Sequence, residues 1–288
     1  MKVTAKEHET SLLNVSNDDG FSVITREMFK FPIFGRGIEH LLKEINRKQK
    51  EGKKLWLTTV NPEFVVEANK DHGFRQILNK TWLNVPDGVG IVWAVKWKGG
   101  WRGNIWERFW WPVKVGLEIL AGAHREVLIP GVELMDRLCG MAEDQEKTVY
   151  FLGGWKDRAK KTAEYFIKKY PRLKVAGFKD ENFDFETKAD FLFVAYGMKR
   201  QEEWIFINLE KLKVGLVMGV GRSFDYFSGE LARAPESWRK RGLEWLYSLI
   251  RQPSRWRRQL RLPKFIWLVV KSHPKIEFPA QGRGRVWF

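Results

Sequence analysis

The residues of this sequence best suited to chemistry sit in short polar knots, each directly after an apolar run. The first knot is Asn84-Val-Pro-Asp-Gly-Val-Gly90. Pro86 fixes its own φ and Gly88 and Gly90 relieve the backbone, so Asp87 falls where an apolar helical pattern opens. A carboxylate at such a crowded turn can take a proton from a hydroxyl within hydrogen-bond reach. Asp is equally a common helix cap. The second knot, Ala195-Tyr-Gly-Met-Lys-Arg-Gln-Glu-Glu-Trp204, follows Phe191–Ala195 and offers Gln201 as an amide donor and acceptor. The third, Gly219-Val-Gly-Arg-Ser-Phe-Asp225, follows Val214–Met218, and Gly219 and Gly221 allow a ligand close to the backbone. Gly153-Gly154 ends the run Thr148–Leu152 ahead of a helical pattern, where exposed amides can receive a diphosphate or the pair can serve as a plain tight turn. Thr59 and Asn61, at the end of Leu55–Val60, can orient a ligand or cap the helix beginning at Pro62.

The elements that must position these knots alternate. Leu55–Val60, Thr148–Leu152, Leu173–Ala176, Phe191–Ala195 and Val214–Met218 read as buried strands. Ile38–Ile45, the stretch opening at Pro62, Gly131–Glu143 and the Lys-rich Trp155–Tyr170 read as helices, the last stopped by Pro171. The alternation argues for right-handed βαβ units: an α/β chain with a Rossmann-like, mostly parallel sheet flanked by helices. Strand-to-helix turns then build a ligand crevice at the carboxyl edge of the sheet. Residues 1–30 are expected to form a flexible N-terminal extension, 31–232 the α/β core and 233–288 a basic, aromatic, helical appendage. That last boundary is compositional: from Arg233 to Lys264 ten Lys/Arg stand against two Glu, a local charge of +8.

With 288 residues the chain has room for an ample core. Its net charge of +16 implies an anionic partner, with nucleic acid, phospholipid headgroups and phosphorylated substrates all open. The single cysteine, Cys139, excludes an internal disulfide and reads as a small core residue. The polar N-terminus shows no signal-peptide pattern, and no uncharged apolar stretch is long enough to span a bilayer. A reducing, cytoplasmic setting is the expectation. His8, His40, His72, His124 and His273 are scattered without ligand spacing and there is no Asp-x-Asp pair, so neither metal nor cofactor is expected.

Taken in order, Thr59-x-Asn61, Val85-Pro-Asp-Gly88, Leu152-Gly-Gly154, Gly197 with Gln201-Glu-x-Trp204, Gly219-Val-Gly221 and Gly242-Leu-Glu-Trp-Leu-Tyr247 resemble the WecG/TagA/CpsF glycosyltransferase family over about Phe31 to Lys271. The resemblance implies transfer of a sugar from a UDP-sugar to an undecaprenyl-diphosphate-linked sugar at the cytoplasmic face of the bacterial plasma membrane, without a metal. In the branch that makes wall teichoic acid the donor is UDP-N-acetylmannosamine. It implies Asp87 as general base, Gln201 as a substrate contact, Gly197 among the residues near the diphosphate, and Arg255 and Arg258 approaching the donor diphosphate as the tail folds over the site. Three positions depart from the family pattern. Arg222 stands where a second consecutive Gly is usual and can itself reach the diphosphate, Lys199 replaces a Pro, and Ser248 replaces a third tail Arg, with Arg251 one turn on.

Between the Asp87 helix and the Gly131 helix the resemblance implies a short connection with an Arg just before a Gly. Here about residues 94–124 carry Trp97, Trp101, Trp106, Trp110 and Trp111, and Arg125 is the nearest match to that Arg, with Arg102 and Arg108 as competitors. Trp beside Lys/Arg is the composition of a bilayer-interface anchor and also of an oligomer surface. The tail interleaves Arg257 and Arg261 with Trp256 and Trp267, which again suits an anionic leaflet. Two other classes compete. A nucleic-acid binder would use basic patches and stacking aromatics, but no recognised module signature is present. A dinucleotide enzyme would need Gly-x-Gly-x-x-Gly after the first strand, and none is there.

Overall fold

The computed structural model describes residues 23–24, 29–100 and 105–272. Most of the expected N-terminal extension, Trp101 and Arg102, and the last sixteen residues lie outside that range. A two-stranded antiparallel ribbon, β1 (Val23–Ile24) and β2 (Ile33–Phe34), precedes the main sheet. That sheet has six strands: β3 (Leu55–Val60), β4 (Leu83–Pro86), β5 (Thr148–Gly153), β6 (Lys174–Lys179), β7 (Lys188–Ala195) and β8 (Lys213–Gly219). Their spatial order is β4-β3-β8-β7-β5-β6, and every pairing is parallel. The expected α/β architecture with a parallel sheet is the one observed.

Alternation along the strands divides the core between two faces. Leu55, Leu57, Val149, Phe151, Phe191, Phe193, Leu216 and Met218 pack on one side. They meet helices α1 (Ile38–Lys50), α6 (Gly131–Asp144) and α7 (Arg158–Lys169), which contribute Leu41, Ile45, Leu134, Leu138, Ala163 and Phe166. Cys139 is buried in this layer as a free thiol. Trp56, Tyr150, Leu152, Leu192, Val194 and Val217 face the other side with Ile205 of α8 (Arg200–Asn208). Because both faces are covered, all six positions of β3 are buried, as parallel sheets require.

The sequence reading treated Asn84–Asp87 as a turn, and the structure shows its first part to be β4. Leu57 pairs with Leu83, and the register runs to Val60 opposite Pro86. Pro86 ends the strand, so its missing N–H costs no ladder bond. Asp87 then donates its backbone N–H to the Val60 carbonyl at 2.7 Å, which ties the two strand ends together. Between β3 and β4 the chain makes α2 (Pro62–Lys70) and α3 (His72–Lys80), the second capped by Asp71 through the Phe74 amide.

A third apolar cluster gathers α2 with α4 (Val89–Gly100), α5 (Ile105–Leu120) and the C-terminal α13 (Arg261–Lys271). The elements between β8 and α13 are α9 (Ser223–Phe227), α10 (Glu236–Lys240), α11 (Glu244–Arg251), a single 3-10 turn (Pro253–Arg255) and α12 (Trp256–Gln259). Phe265 and Val269 of α13 are buried against this cluster, so the basic appendage folds back onto the α/β body.

Candidate active site

A cavity of about 580 Å³ opens at the carboxyl edge of the sheet. Residues that follow β3, β4, β7 and β8 line it: Asn61, Asp87, Gly197 and Gly221. Its roof comes from Gly116, Ile119 and Leu120 of α5, Glu244 and Trp245 of α11, and Leu262, Phe265 and Ile266 of α13. The three polar knots of the sequence thus converge on one space.

Asp87 lies half-buried in this wall, and its Oδ1 accepts the backbone N–H of Gly131 at 3.4 Å. Gly131 is the first residue of α6, so the carboxylate faces the positive end of that helix rather than capping α4, the helix it precedes. Gly131 suits this close approach, since a Cβ there would meet the Thr59 side chain at 3.2 Å and Thr59 would have to give by a few tenths of an ångström. Burial pushes the Asp87 carboxyl up to about 6, nearby Glu244 adds to the rise, and the Gly131 amide and Arg233 oppose it. The result is a carboxylate that is ionised near neutrality yet more basic than an ordinary Asp, the property a general base needs.

Gln201 is buried beneath the third knot. Its Oε1 accepts the Gly221 amide at 3.0 Å, and its Nε2 donates to Glu202 Oε1 at 2.7 Å. Glu202 is fully buried, takes the Lys199 backbone N–H on Oε2 at 2.7 Å, and is pushed up to about 7 by desolvation. The pair therefore braces the Gly219–Gly221 turn from below. Gly219 is required by the same contacts, because a Cβ would lie 2.6 Å from Gln201 Nε2 and 2.8 Å from Glu202 Oε1. Glu202 and Glu244 lie within the family-like stretches Gln201-Glu-x-Trp204 and Gly242-Leu-Glu-Trp-Leu-Tyr247, and Gly131 opens a helical pattern, but the sequence assigns none of the three a role in the site.

The remaining expected residues are placed as follows. Asn61 lines the cavity, and its Oδ1 caps α2 through the amides of Glu63 and Phe64, which leaves its NH2 end for a ligand. Thr59 lines the cavity too, with its hydroxyl donating to the Gly219 carbonyl at 3.4 Å. Gly153 and Gly154 are not among the lining residues. Both have positive φ, and a Cβ on Gly153 would collide with the Ala195 backbone at 2.9 Å, so they make a close turn against β7. Arg125 is also outside the lining, where it donates to the Arg239 carbonyl at 2.6 Å and ties α10 to the body. Lys199 pairs with Asp71 at 2.7 Å.

Four arginines line the cavity: Arg222, Arg233, Arg241 and Arg261. Arg222 pairs with Asp225 at 2.7 Å and reaches Gln252, and Arg233 pairs with Glu244 at 3.3 Å. Arg261, read from the sequence as membrane-facing, instead turns inward one turn before Phe265 and meets Glu63 at 3.5 Å and Glu67 at 3.8 Å. Arg241 forms no ion pair among the described residues. Ser248 lines the cavity, whereas Arg251 donates to the Tyr247 hydroxyl outside it. The side chains of Arg255, Arg258 and Arg108 lie outside the described part of the structure. Trp106, Trp110 and Trp256 are exposed; Arg257 is also exposed and sits 5.7 Å over the Trp256 ring. Trp111, grouped with them in the sequence reading, packs inward and donates its indole N–H to the Lys96 carbonyl at 3.3 Å. Among the described residues no three His, Cys, Asp or Glu side chains are placed to hold a metal ion.

Fold and cavity together describe an α/β group-transfer enzyme, with a basic carboxylate, glycine turns and arginines at the carboxyl edge of a parallel sheet. The model of the WecG/TagA/CpsF glycosyl transferase family matches residues 26–108 and 111–277, and the chain belongs to that family. It is 30% identical over 225 residues to an N-acetylglucosaminyldiphosphoundecaprenol N-acetyl-beta-D-mannosaminyltransferase of Bacillus subtilis (strain 168), covering 75% of this chain and 79% of the relative. An enzyme of the same name from Bacillus spizizenii is 29% identical over 245 residues, 82% of this chain and 86% of the relative. One from Staphylococcus aureus (strain MW2) is 30% identical over 234 residues, 77% of this chain and 82% of the relative. The two stretches of family match meet within α5, on either side of Phe109 and Trp110.

Proposed function

We propose that this enzyme transfers an N-acetylhexosamine, in the first place N-acetylmannosamine, from a UDP-sugar to a saccharide carried on undecaprenyl diphosphate. It acts as a peripheral protein at the cytoplasmic face of the plasma membrane. The observation that carries the reading is Asp87, a carboxylate with a raised affinity for protons that faces a cavity lined by four arginines. The acceptor hydroxyl attacks the anomeric carbon, its proton passes to Asp87, and the bond from that carbon to the UDP oxygen breaks. UDP leaves with an added negative charge. Arg222 and Arg241, which line the cavity, supply positive charge for it without a metal ion. The names of the relatives support the acceptor and the sugar. The nucleic-acid alternative rests on basic patches and aromatics and leaves the cavity at the strand ends without a use.

The test is a panel of UDP-sugars with an N-acetylglucosaminyl diphosphate carried on a short, water-soluble lipid, read by mass spectrometry of the product. UDP-N-acetylmannosamine should give the disaccharide. No product from any UDP-sugar, alongside tight binding of single-stranded DNA, would overturn the assignment.

A further inference from the structure

The cavity is lined by polar residues from the strand ends and by apolar side chains from α5 and α13. Helix α5 carries Trp106, Phe109, Trp110, Val113, Leu117 and Leu120, spaced i, i+3, i+4, i+7, i+11 and i+14, which is one stripe of a 3.6-residue helix. All six are exposed, Trp106 by 72%, Trp110 by 71% and Leu117 by 61%. The stripe is not misplaced core, because Val115 and Ile119 on the opposite face are buried and Trp111 packs against the third cluster. At its C-terminal end the stripe reaches the cavity through Leu120. Across the mouth α13 contributes Leu262 and Ile266 to the lining, with Trp267 and Val270 exposed beyond them. Trp93, Trp111, Phe265 and Val269 belong to one buried cluster beneath both helices, which fixes the two walls relative to each other.

We infer that the α5 stripe seats in the surface of an anionic bilayer, and that the apolar gap between α5 and α13 admits the isoprenoid chain of a lipid-linked substrate from that bilayer into the cavity. The inference rests on the reading of a lipid-linked acceptor. Its sixteen residues make α5 about 24 Å long, short of the roughly 30 Å a spanning helix needs, and no described helix is long and apolar enough to cross a membrane. An in-plane helix is what this length and stripe suit. Cations border the apolar surface: Lys114 of α5 is exposed, and Lys271 lies 4.9 Å from the centre of the exposed Trp267 ring. Aromatic rings flanked by such cations match the level of lipid headgroups. Two copies of a chain with net charge +16 repel each other, whereas an anionic leaflet attracts both. One lining holds the three chemistries the substrate needs: apolar Leu120 and Ile266, cationic Arg241 and Arg261, and the proton acceptor Asp87.

The experiment uses the full chain and vesicles of mixed phosphatidylglycerol and phosphatidylcholine. Val113→Asp with Leu117→Asp should weaken vesicle binding at least tenfold while transfer to the water-soluble acceptor stays within twofold. Trp106→Ala with Trp110→Ala, a pair with no new charge in the helix, should weaken vesicle binding at least threefold at unchanged melting temperature. Unchanged vesicle affinity in both variants overturns the inference. So does a wild-type dimer that the aspartates convert to monomer without loss of vesicle binding, since a second copy would then own the stripe. A polyprenyl phosphate bearing a benzophenone, irradiated in the same vesicles, should label residues within 116–120 and 262–266, and labelling confined to other segments overturns the entry route. Neither vesicle binding nor labelling depends on turnover. A failed UDP-sugar panel would therefore strike the proposed reaction and leave the docking surface to be judged by these readouts.

Discussion

Gln201 and Glu202 are consecutive residues whose side chains bond to each other, Nε2 to Oε1 at 2.7 Å, with both buried. Consecutive residues on a helix ordinarily diverge by about 100°, so this contact exists because each is also held elsewhere. Gln201 is held by the Gly221 amide and Glu202 by the Lys199 amide. The pair thereby links the turn after β7 to the turn after β8, and the cavity wall depends on that link.

Gly219→Ala tests it directly. The added methyl would lie 2.6 Å from Gln201 Nε2 and 2.8 Å from Glu202 Oε1, and two buried, mutually bonded side chains have little room to yield. Overpacking of this kind costs about 1–3 kcal/mol. The melting temperature should fall by several degrees and donor affinity should drop with it. A variant of unchanged melting temperature and donor affinity would show that the brace is dispensable.

Asp87→Asn should leave the fold intact, because Asn retains an oxygen for the Gly131 amide, and should lower transfer by about 100-fold or more, the scale of a lost general base. In the wild type, kcat/KM should rise with pH up to about 6 and level off above it, since the base works only when ionised. The residual activity of the Asn variant should lack that limb. Near-normal turnover by the variant removes Asp87 from the chemistry.

The same carboxyl makes a stability prediction of opposite sense. Its folded pKa, about 6, lies above the ordinary Asp value, so between about pH 4 and 6 the native state holds a proton that the unfolded chain has released. Stability from this group is present at low pH and lost as pH rises through 6. At pH 7 the cost is about 1–3 kcal/mol, the upper figure being two pH units at 1.36 kcal/mol each and the lower allowing for the open cavity. Asp87→Asn should therefore melt higher than wild type at pH 7, with the gap closing toward pH 4. An equal gap at both pH values would mean that the ionised carboxylate is not desolvated in the native state.

The sheet and the knots at its edge were legible because a parallel strand buried on both faces is an unbroken apolar run, as in Phe191–Ala195 and Val214–Met218, and the knots are breaks in that pattern. β4 was missed because Pro86 and Asn84 look like turn residues, and only the ladder to β3 makes Leu83–Pro86 a strand. The helix α3 carries no uninterrupted apolar signal and depends on the Asp71 cap and on Phe74 and Leu78 in the third cluster. The cavity's polar contacts were less legible than its backbone. Asn61 and Thr59 have the right types at the right place, but where a hydroxyl or amide points is decided by partners 2 to 160 residues away. Arg261 and Trp111 were assigned to the membrane by composition, which cannot tell the two faces of a helix apart when both are apolar or mixed. Glu244 and Arg233 enter the site only through the fold of the appendage, where they form an ion pair.

The arginines separate by their present partners, and that difference should appear in kinetics. Arg222, Arg233 and Arg261 are each engaged with a carboxylate, at 2.7, 3.3 and 3.5 Å, so part of their charge already serves the fold. Arg241 lines the cavity with no ion pair among the described residues, which leaves its whole guanidinium for an incoming anion. Arg241→Ala should cut kcat/KM for the UDP-sugar by about 10–100-fold, the range of a lost charge-assisted contact to a developing anion, with little change in melting temperature. Arg241→Lys should recover only part, because a point charge replaces a fork. Arg125→Ala is the contrast: its guanidinium bonds the Arg239 carbonyl outside the cavity, so it should lower the melting temperature more than it lowers the rate constant of a properly folded fraction. Arg255→Ala with Arg258→Ala tests what the family resemblance implies for the tail, and should cut transfer more than vesicle binding. Steady-state kinetics on the soluble acceptor beside thermal melts distinguish these outcomes. If Arg241→Ala turns over like wild type while Arg125→Ala does not, the anion is received at Arg125 and not at Arg241.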